Sequence, residues 1–252
     1  MDKLLIEKTI NEIIYKNYLL KCRPRWLSKP TQSDEKFLTK FFNDKNEPID
    51  MLDEDYYENY NIGSMDAYDE HVKLQGDFHI NGKGFTNTGD LNEVDSVSDW
   101  GYVGFDDFNG KIYNTEDFRE KKAMGLFDDD GLEIIDKKID LIKSAIEKSP
   151  DIPENMLLYR GGHWDKRIKV GDVVTQDGFA SLTYVDDYAD DFVYDDRYMI
   201  EFYVPKGSKG LWLDAPFMNL GECEYLTPPN MRYYVFDIDD GSKSAKVVIL
   251  PD

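Results

Sequence analysis

At 252 residues the chain is long enough to bury a substantial core, as one large domain or as a domain with an extension. With 41% hydrophobic and 14% aromatic residues it is too apolar for a disordered polymer, despite a formal charge of −21. The charge is uneven: residues 1–50 carry ten Lys/Arg against eight Asp/Glu, residues 51–150 ten against 24, and residues 151–252 ten against 19. So acidic a body repels nucleic-acid phosphates, which argues against duplex DNA or RNA as a partner and favours a basic protein surface.

Apolar residues at Leu4, Leu5, Ile6, Ile10, Ile13, Ile14 and Tyr18, interleaved with lysines and glutamates, predict an amphipathic helix over residues 1–20. That interleaving fits neither a signal peptide nor a membrane span, so the expected location is the cytoplasm. Cys22 to Pro30 contains two prolines together with Arg23, Arg25 and Lys29. It reads as a loop, either a plain connector or a small basic docking hook. A second helix is expected over residues 34–43 with Ser33 as its cap. Residues 51–110 have poor periodicity and suggest irregular loops with short helices. Within them, Gly76 to Lys83 fails as a phosphate loop, because five residues separate its glycines and Gly84 follows the lysine. Cys22 and Cys223 lie in separate segments, which suits a reducing compartment. His71, His79 and His163 are too scattered for a metal site of recognisable spacing.

Ile134, Ile135, Ile139, Leu141, Ile142 and Ile146 mark a helical stripe over residues 130–148, ending before Ser149-Pro150. From Met156 onward short strand-like runs dominate: residues 156–160, 172–176, 199–205, 210–213, 222–226, 232–238 and 245–250. Helices first and mainly antiparallel strands later predict an α+β fold. Three segments in the second half carry candidate chemistry. The first is Leu157-Leu158-Tyr159-Arg160-Gly161-Gly162, an apolar strand ending in an arginine and two glycines. The second is Gly178-Phe179-Ala180-Ser181-Leu182-Thr183, which leads into a helix expected over residues 186–192. The third is Gly221-Glu222-Cys223-Glu224-Tyr225-Leu226. On an extended chain Glu222 and Glu224 share a face roughly 7 Å apart, while Cys223 and Tyr225 point the other way. Alternating acids on a solvated strand look the same, and it is the company of the other two segments that singles this pair out.

In this order the three segments resemble the arginine, serine and glutamate motifs of mono-ADP-ribosyltransferases, the class with a Glu-x-Glu pair that includes clostridial actin-modifying toxins and phage-encoded transferases. The resemblance runs from about residue 135 to the end and less closely from about residue 60. It implies an N-terminal helical lobe followed by a mainly antiparallel β-sandwich core, with residues 1–60 as a helical extension and 61–252 as the transferase domain. It further implies NAD as co-substrate. Arg160 would grip its phosphates and ribose, with a structural ion pair as the alternative, and Gly161 would leave the backbone open to the nicotinamide amide. Ser181 would hydrogen-bond and orient Glu224, while Thr183 stands where the family's motif commonly has a second serine. Phe192 would stack on nicotinamide or belong to the core.

Glu224 would stabilise the positive charge that develops on the ribose, and Glu222 would orient or deprotonate the acceptor. A glutamate at the earlier position resembles arginine-modifying members, so the expected partner is a target protein with an exposed basic, arginine-bearing loop. The family often has an aromatic five residues before the catalytic glutamate; here that position is Asn219, with Phe217 two residues earlier. A second phosphate-gripping arginine is also expected after the hydroxyl motif, where this chain has six aspartates over residues 186–196. Arg197 is the candidate to replace it. The same fold without catalysis, acting as an acidic decoy that occludes a basic surface, is the competing reading.

Overall fold

The computed structural model describes residues 26–43, 92–100, 105–194, 196–213 and 224–251. The helix expected over residues 1–20, the basic residues Arg23 and Arg25, most of the irregular stretch, both cysteines, Phe217, Asn219 and Glu222 lie outside the described residues.

In chain order the described elements are β1 (Leu27–Ser28), α1 (Gln32–Asn43), α2 (Glu93–Asp99), α3 (Phe105–Tyr113), α4 (Glu116–Ala123), α5 (Asp129–Lys148), β2 (Met156–His163), β3 (Val173–Gln176), β4 (Ala180–Thr183), α6 (Asp186–Asp190), β5 (Arg197–Val204), β6 (Leu211–Trp212), β7 (Glu224–Thr227), β8 (Met231–Asp239) and β9 (Ser244–Ile249). Among them, none of the helices is long and apolar enough to cross a membrane. Apart from β1 and α6, helices precede strands, as the pattern predicts, and the strands join one nine-stranded sheet in the order β1-β3-β8-β9-β5-β2-β4-β7-β6. All pairings are antiparallel except β5 with β9.

The sheet has a thin joint. β2 pairs with β5 over eight residues, but with β4 only at Tyr159 and Thr183. On either side of this joint lie a large wing, β1 to β2, and a small wing, β4-β7-β6. Ile200, Phe202, Val235 and Val247 of the large wing share one core with Ala180, Leu182, Trp212 and Tyr225 of the small one. The two wings therefore fold toward each other around common apolar side chains, which gives a sandwich-like body from a continuous sheet. A second core lies on the other face of the small wing: Phe179, Leu211 and Leu226 pack against Ile135, Ile139, Ile142 and Ile146 of α5 and Val97 and Trp100 of the α2 region.

Helix ends follow local chemistry. The Asp128 side chain accepts from the Gly131 N–H to start α5, the Thr115 side chain accepts from Phe118 N–H to start α4, and Asn92 caps α2 through the Asp95 N–H. At α1 the cap is Thr31 and not Ser33. The Thr31 hydroxyl accepts from Asp34 N–H at 3.2 Å, while an Asp34 carboxylate oxygen accepts from Thr31 N–H at 2.7 Å. This reciprocal pair is a capping box, and it moves the helix start back to Gln32.

The loop expected over residues 22–30 also gives way to structure at its end. Leu27 and Ser28 pair with Val174 and Val173, and the Trp26 carbonyl accepts from Thr175 N–H at 2.7 Å. Residues 26–43 are thus built into the large wing, with Leu38 of α1 packed on Val173, Val248 and Leu250.

Candidate active site

The three sequence motifs fall on β2, β4 and β7, which are consecutive neighbours across the joint. Thr183 is the hub of the register: it faces Tyr159 of β2 on one side and Glu224 of β7 on the other. Arg160 follows directly on Tyr159, so the arginine, hydroxyl and glutamate segments meet within one row of the sheet.

Arg160 is half-buried. Loss of water pulls its guanidinium below the ordinary arginine value, and the Tyr113, Tyr233 and Glu224 groups work in the opposite direction. Among the described residues no side-chain hydrogen bond or ion pair engages it. A partly desolvated cation of this kind, with a planar fork of N–H donors, is suited to an anionic ligand. Arg197 adds a second positive charge that Arg160 feels, and its guanidinium rests 4.4 Å from the Tyr194 ring centroid.

Glu224 is half-exposed, while the next residue, Tyr225, is fully buried against Trp212, their ring centroids 4.8 Å apart. Alternation thus turns the glutamate away from the core that anchors its strand. The residue directly across from Glu224 is Thr183; Ser181 faces Leu226, one diagonal step away. The Thr183 hydroxyl accepts from Val185 N–H at 3.0 Å and so shapes the turn into α6.

Gly161 is closely packed by the helix that follows the hydroxyl motif. A methyl group there would meet the Ala189 carbonyl oxygen at 2.1 Å and Phe192 Cβ at 2.6 Å, so the end of α6 lies directly on this strand. Phe192 is 55% exposed beside that contact and does not belong to the core. Asp186, Asp187, Asp190 and Asp191 are likewise exposed.

Two residues of α3 that hold the segment leading into β4 escaped the sequence reading. Asn109 and Tyr113 lie one turn apart, and both press on Gly178, where an added Cβ would sit 2.5 Å from Asn109 Oδ1 and 2.6 Å from the Tyr113 ring. The Tyr113 hydroxyl accepts from Gln176 Nε2. Burial raises this hydroxyl above its ordinary value, while the Gly178 backbone and Arg160 oppose the rise. The legible signal was small: Gly178 just ahead of an apolar residue and the hydroxyls, a spacing that leaves room for a close neighbour.

Comparison with known proteins agrees in fold and in sequence pattern. The pattern of the ADP-ribosyltransferase exoenzyme family matches residues 122–251. No curated protein matches the chain in sequence. Among solved structures the chain is similar to Plx2a, an ADP-ribosyltransferase toxin from Paenibacillus larvae, with a TM-score of 0.54 and 16% identity over 74% of this chain and 96% of that one. It is also similar to Vis toxin, an ADP-ribosyltransferase from Vibrio splendidus, with a TM-score of 0.53 and 18% identity over 81% of this chain and 87% of that one. A third similar structure is C3stau2 from S. aureus with NAD, at a TM-score of 0.50 and 12% identity over 75% of this chain and 97% of that one.

Proposed function

The chain belongs to the ADP-ribosyltransferase exoenzyme family, and from that premise we propose that it is an NAD-dependent mono-ADP-ribosyltransferase that modifies an arginine on a target protein. The observation that carries this reading is the register that sets the strands of Arg160, Thr183 and Glu224 side by side, with Glu224 opposing the effect of burial on the guanidinium. NAD supplies a ribosyl–nicotinamide bond whose electron pair departs with the nicotinamide nitrogen.

Arg160, with Arg197 nearby, holds the pyrophosphate; its N–H donors and its incomplete solvation both favour a doubly charged anion. Glu224 accepts a hydrogen bond from the ribose and offsets the positive charge that grows as the glycosidic bond opens, the role carboxylates play in glycosidases. Glu222, two residues earlier in the sequence, takes the proton that the acceptor guanidinium loses as its nitrogen bonds to the ribose carbon. With no acceptor present, water takes that place and the products are nicotinamide and free ADP-ribose.

The exposed aspartates at residues 186–191 suit a basic target loop. A host protein met in the cytoplasm, as for a phage-encoded or injected effector, is the setting we assign. The exposed aspartates of α6 are the observation that favours the second reading, an inactive acidic protein that occludes a basic partner.

Incubation with labelled NAD and cell lysate separates the two, reading labelled protein and released nicotinamide together. Glu224→Ala is expected to reduce both signals roughly a hundredfold to a thousandfold. Labelling or nicotinamide release that survives this substitution would sink the proposed role of Glu224, and a silent wild-type protein would leave the occluding reading in its place.

A further inference from the structure

We infer that Asn109 is a positioning residue of the reaction, holding the hydroxyl strand in register with Glu224; this rests on the transferase reading above. Phe179 is fully buried two residues before Ser181, so its backbone N–H and C=O need partners inside the protein. One side-chain amide serves both. Asn109 Oδ1 accepts from Phe179 N–H at 3.0 Å, and Asn109 Nδ2 donates to the Phe179 carbonyl at 3.1 Å, across 70 residues of sequence. Only an amide offers a donor and an acceptor at that separation, so the two bonds also fix which way the Asn109 side chain points.

Gly178 makes the grip possible, because any side chain there would collide with Asn109 and Tyr113. The clamp therefore lands at the root of β4. From that root the register runs Ala180 to Thr227, Ser181 to Leu226 and Thr183 to Glu224, and the Thr227 hydroxyl donates to the Ala180 carbonyl at 3.0 Å. Between Asn109 and Glu224 stands a short strand with backbone bonds on one side and, on the other, a single pair to β2. A shift at Phe179 has little else to absorb it before it reaches the glutamate. One turn further along the same helix, Tyr113 and Arg160 feel each other's charge.

The test is Asn109→Asp, which keeps the volume and the acceptor but replaces the donor with a carboxylate facing a carbonyl. Lys111→Met is the comparison: Lys111 also fastens α3, through the Leu132 carbonyl at 2.8 Å and Asp136 at 2.6 Å, but its partners are on α5 and not on β4. Nicotinamide release is measured at varied NAD, alongside thermal unfolding and hydrogen exchange at the amides of residues 179–183.

For Asn109→Asp the expected result is a kcat lowered roughly a hundredfold with KM little changed, since misplacement of the reacting groups acts on the transition state more than on binding. Exchange protection at Phe179 should fall with it. Lys111→Met should keep its kcat while sharing any loss of thermal stability. Equal kcat losses in the two variants, or wild-type protection at Phe179 in Asn109→Asp, would overturn the assignment. A wild-type protein that releases no nicotinamide would instead count against the transferase reading, and the exchange measurement would still decide whether Asn109 holds the strand.

Discussion

Of the two glycines that follow Arg160, only the first is walled in. A methyl group on Gly161 would overlap the Ala189 carbonyl and Phe192, whereas the nearest atom to one on Gly162 is Ile200 Cδ1 at an ordinary 3.6 Å. Gly161→Ala has to push backbone aside and is expected to destabilise by about 1–3 kcal/mol. Gly162→Ala, in the same strand, should be neutral or slightly stabilising, since it only removes freedom from the unfolded chain. Urea unfolding of the two variants checks this, and equal losses would show that α6 does not bear on Gly161 as described. The contrast also marks the reach of the sequence at this scale. Arg160 was visible because an apolar strand ending in a cation is unusual, but the reason for the glycine beside it lies in a helix almost thirty residues later.

At the scale of elements, α1 shows how a charge couples a helix to the sheet. Asp34 is buried, caps its own helix and accepts from Arg232 Nη2 of β8 at 2.6 Å. Burial alone would raise its carboxyl, but the Arg232 and Thr31 hydrogen bonds outweigh this and hold it below the ordinary aspartate value. A lowered folded value means that the contribution is complete above the unfolded value of about 3.9 and is lost as pH falls below it. Asp34→Asn should therefore lower stability by about 1–2 kcal/mol at neutral pH and less at pH 3, measured as thermal unfolding across that range. A constant difference at all pH values would break the argument.

Elements with strong patterns were legible from sequence: α5 by its isoleucine stripe, and β5, β8 and β9 by their alternation. β1 was not, because a two-residue edge strand beside a proline has no period to read. Helix α4 was missed although Thr115-Glu116-Asp117 is an ordinary helix start, since it follows a segment without periodicity. Asn109 and Tyr113 were hidden for another reason: their significance comes from contact with residues 63 to 70 positions away, which local pattern does not encode.

For the molecule as a whole the net charge of −21 predicts how it meets its target. Attraction between an acidic body and a basic loop weakens as the screening length contracts from about 10 Å at 0.1 M salt to about 3 Å at 1 M. Label transfer to protein should fall steadily with added NaCl, while nicotinamide release without acceptor should change much less. If the two decline in parallel, the charge serves the bound co-substrate or the stability of the fold and not the approach of a partner.

The strand order carries a consequence in time. β9, the last described strand in sequence, lies in the middle of the large wing, antiparallel to β8 and parallel to β5. Without it the wing is two unconnected pieces, and the one holding Arg160 has a raw edge. Closures between distant parts of a chain form slowly, and this one has no template until translation has passed Ile249. A nascent polypeptide that has not yet reached β9 keeps its arginine on an unfinished sheet, so the cell that makes this protein is spared its chemistry until that strand is in place.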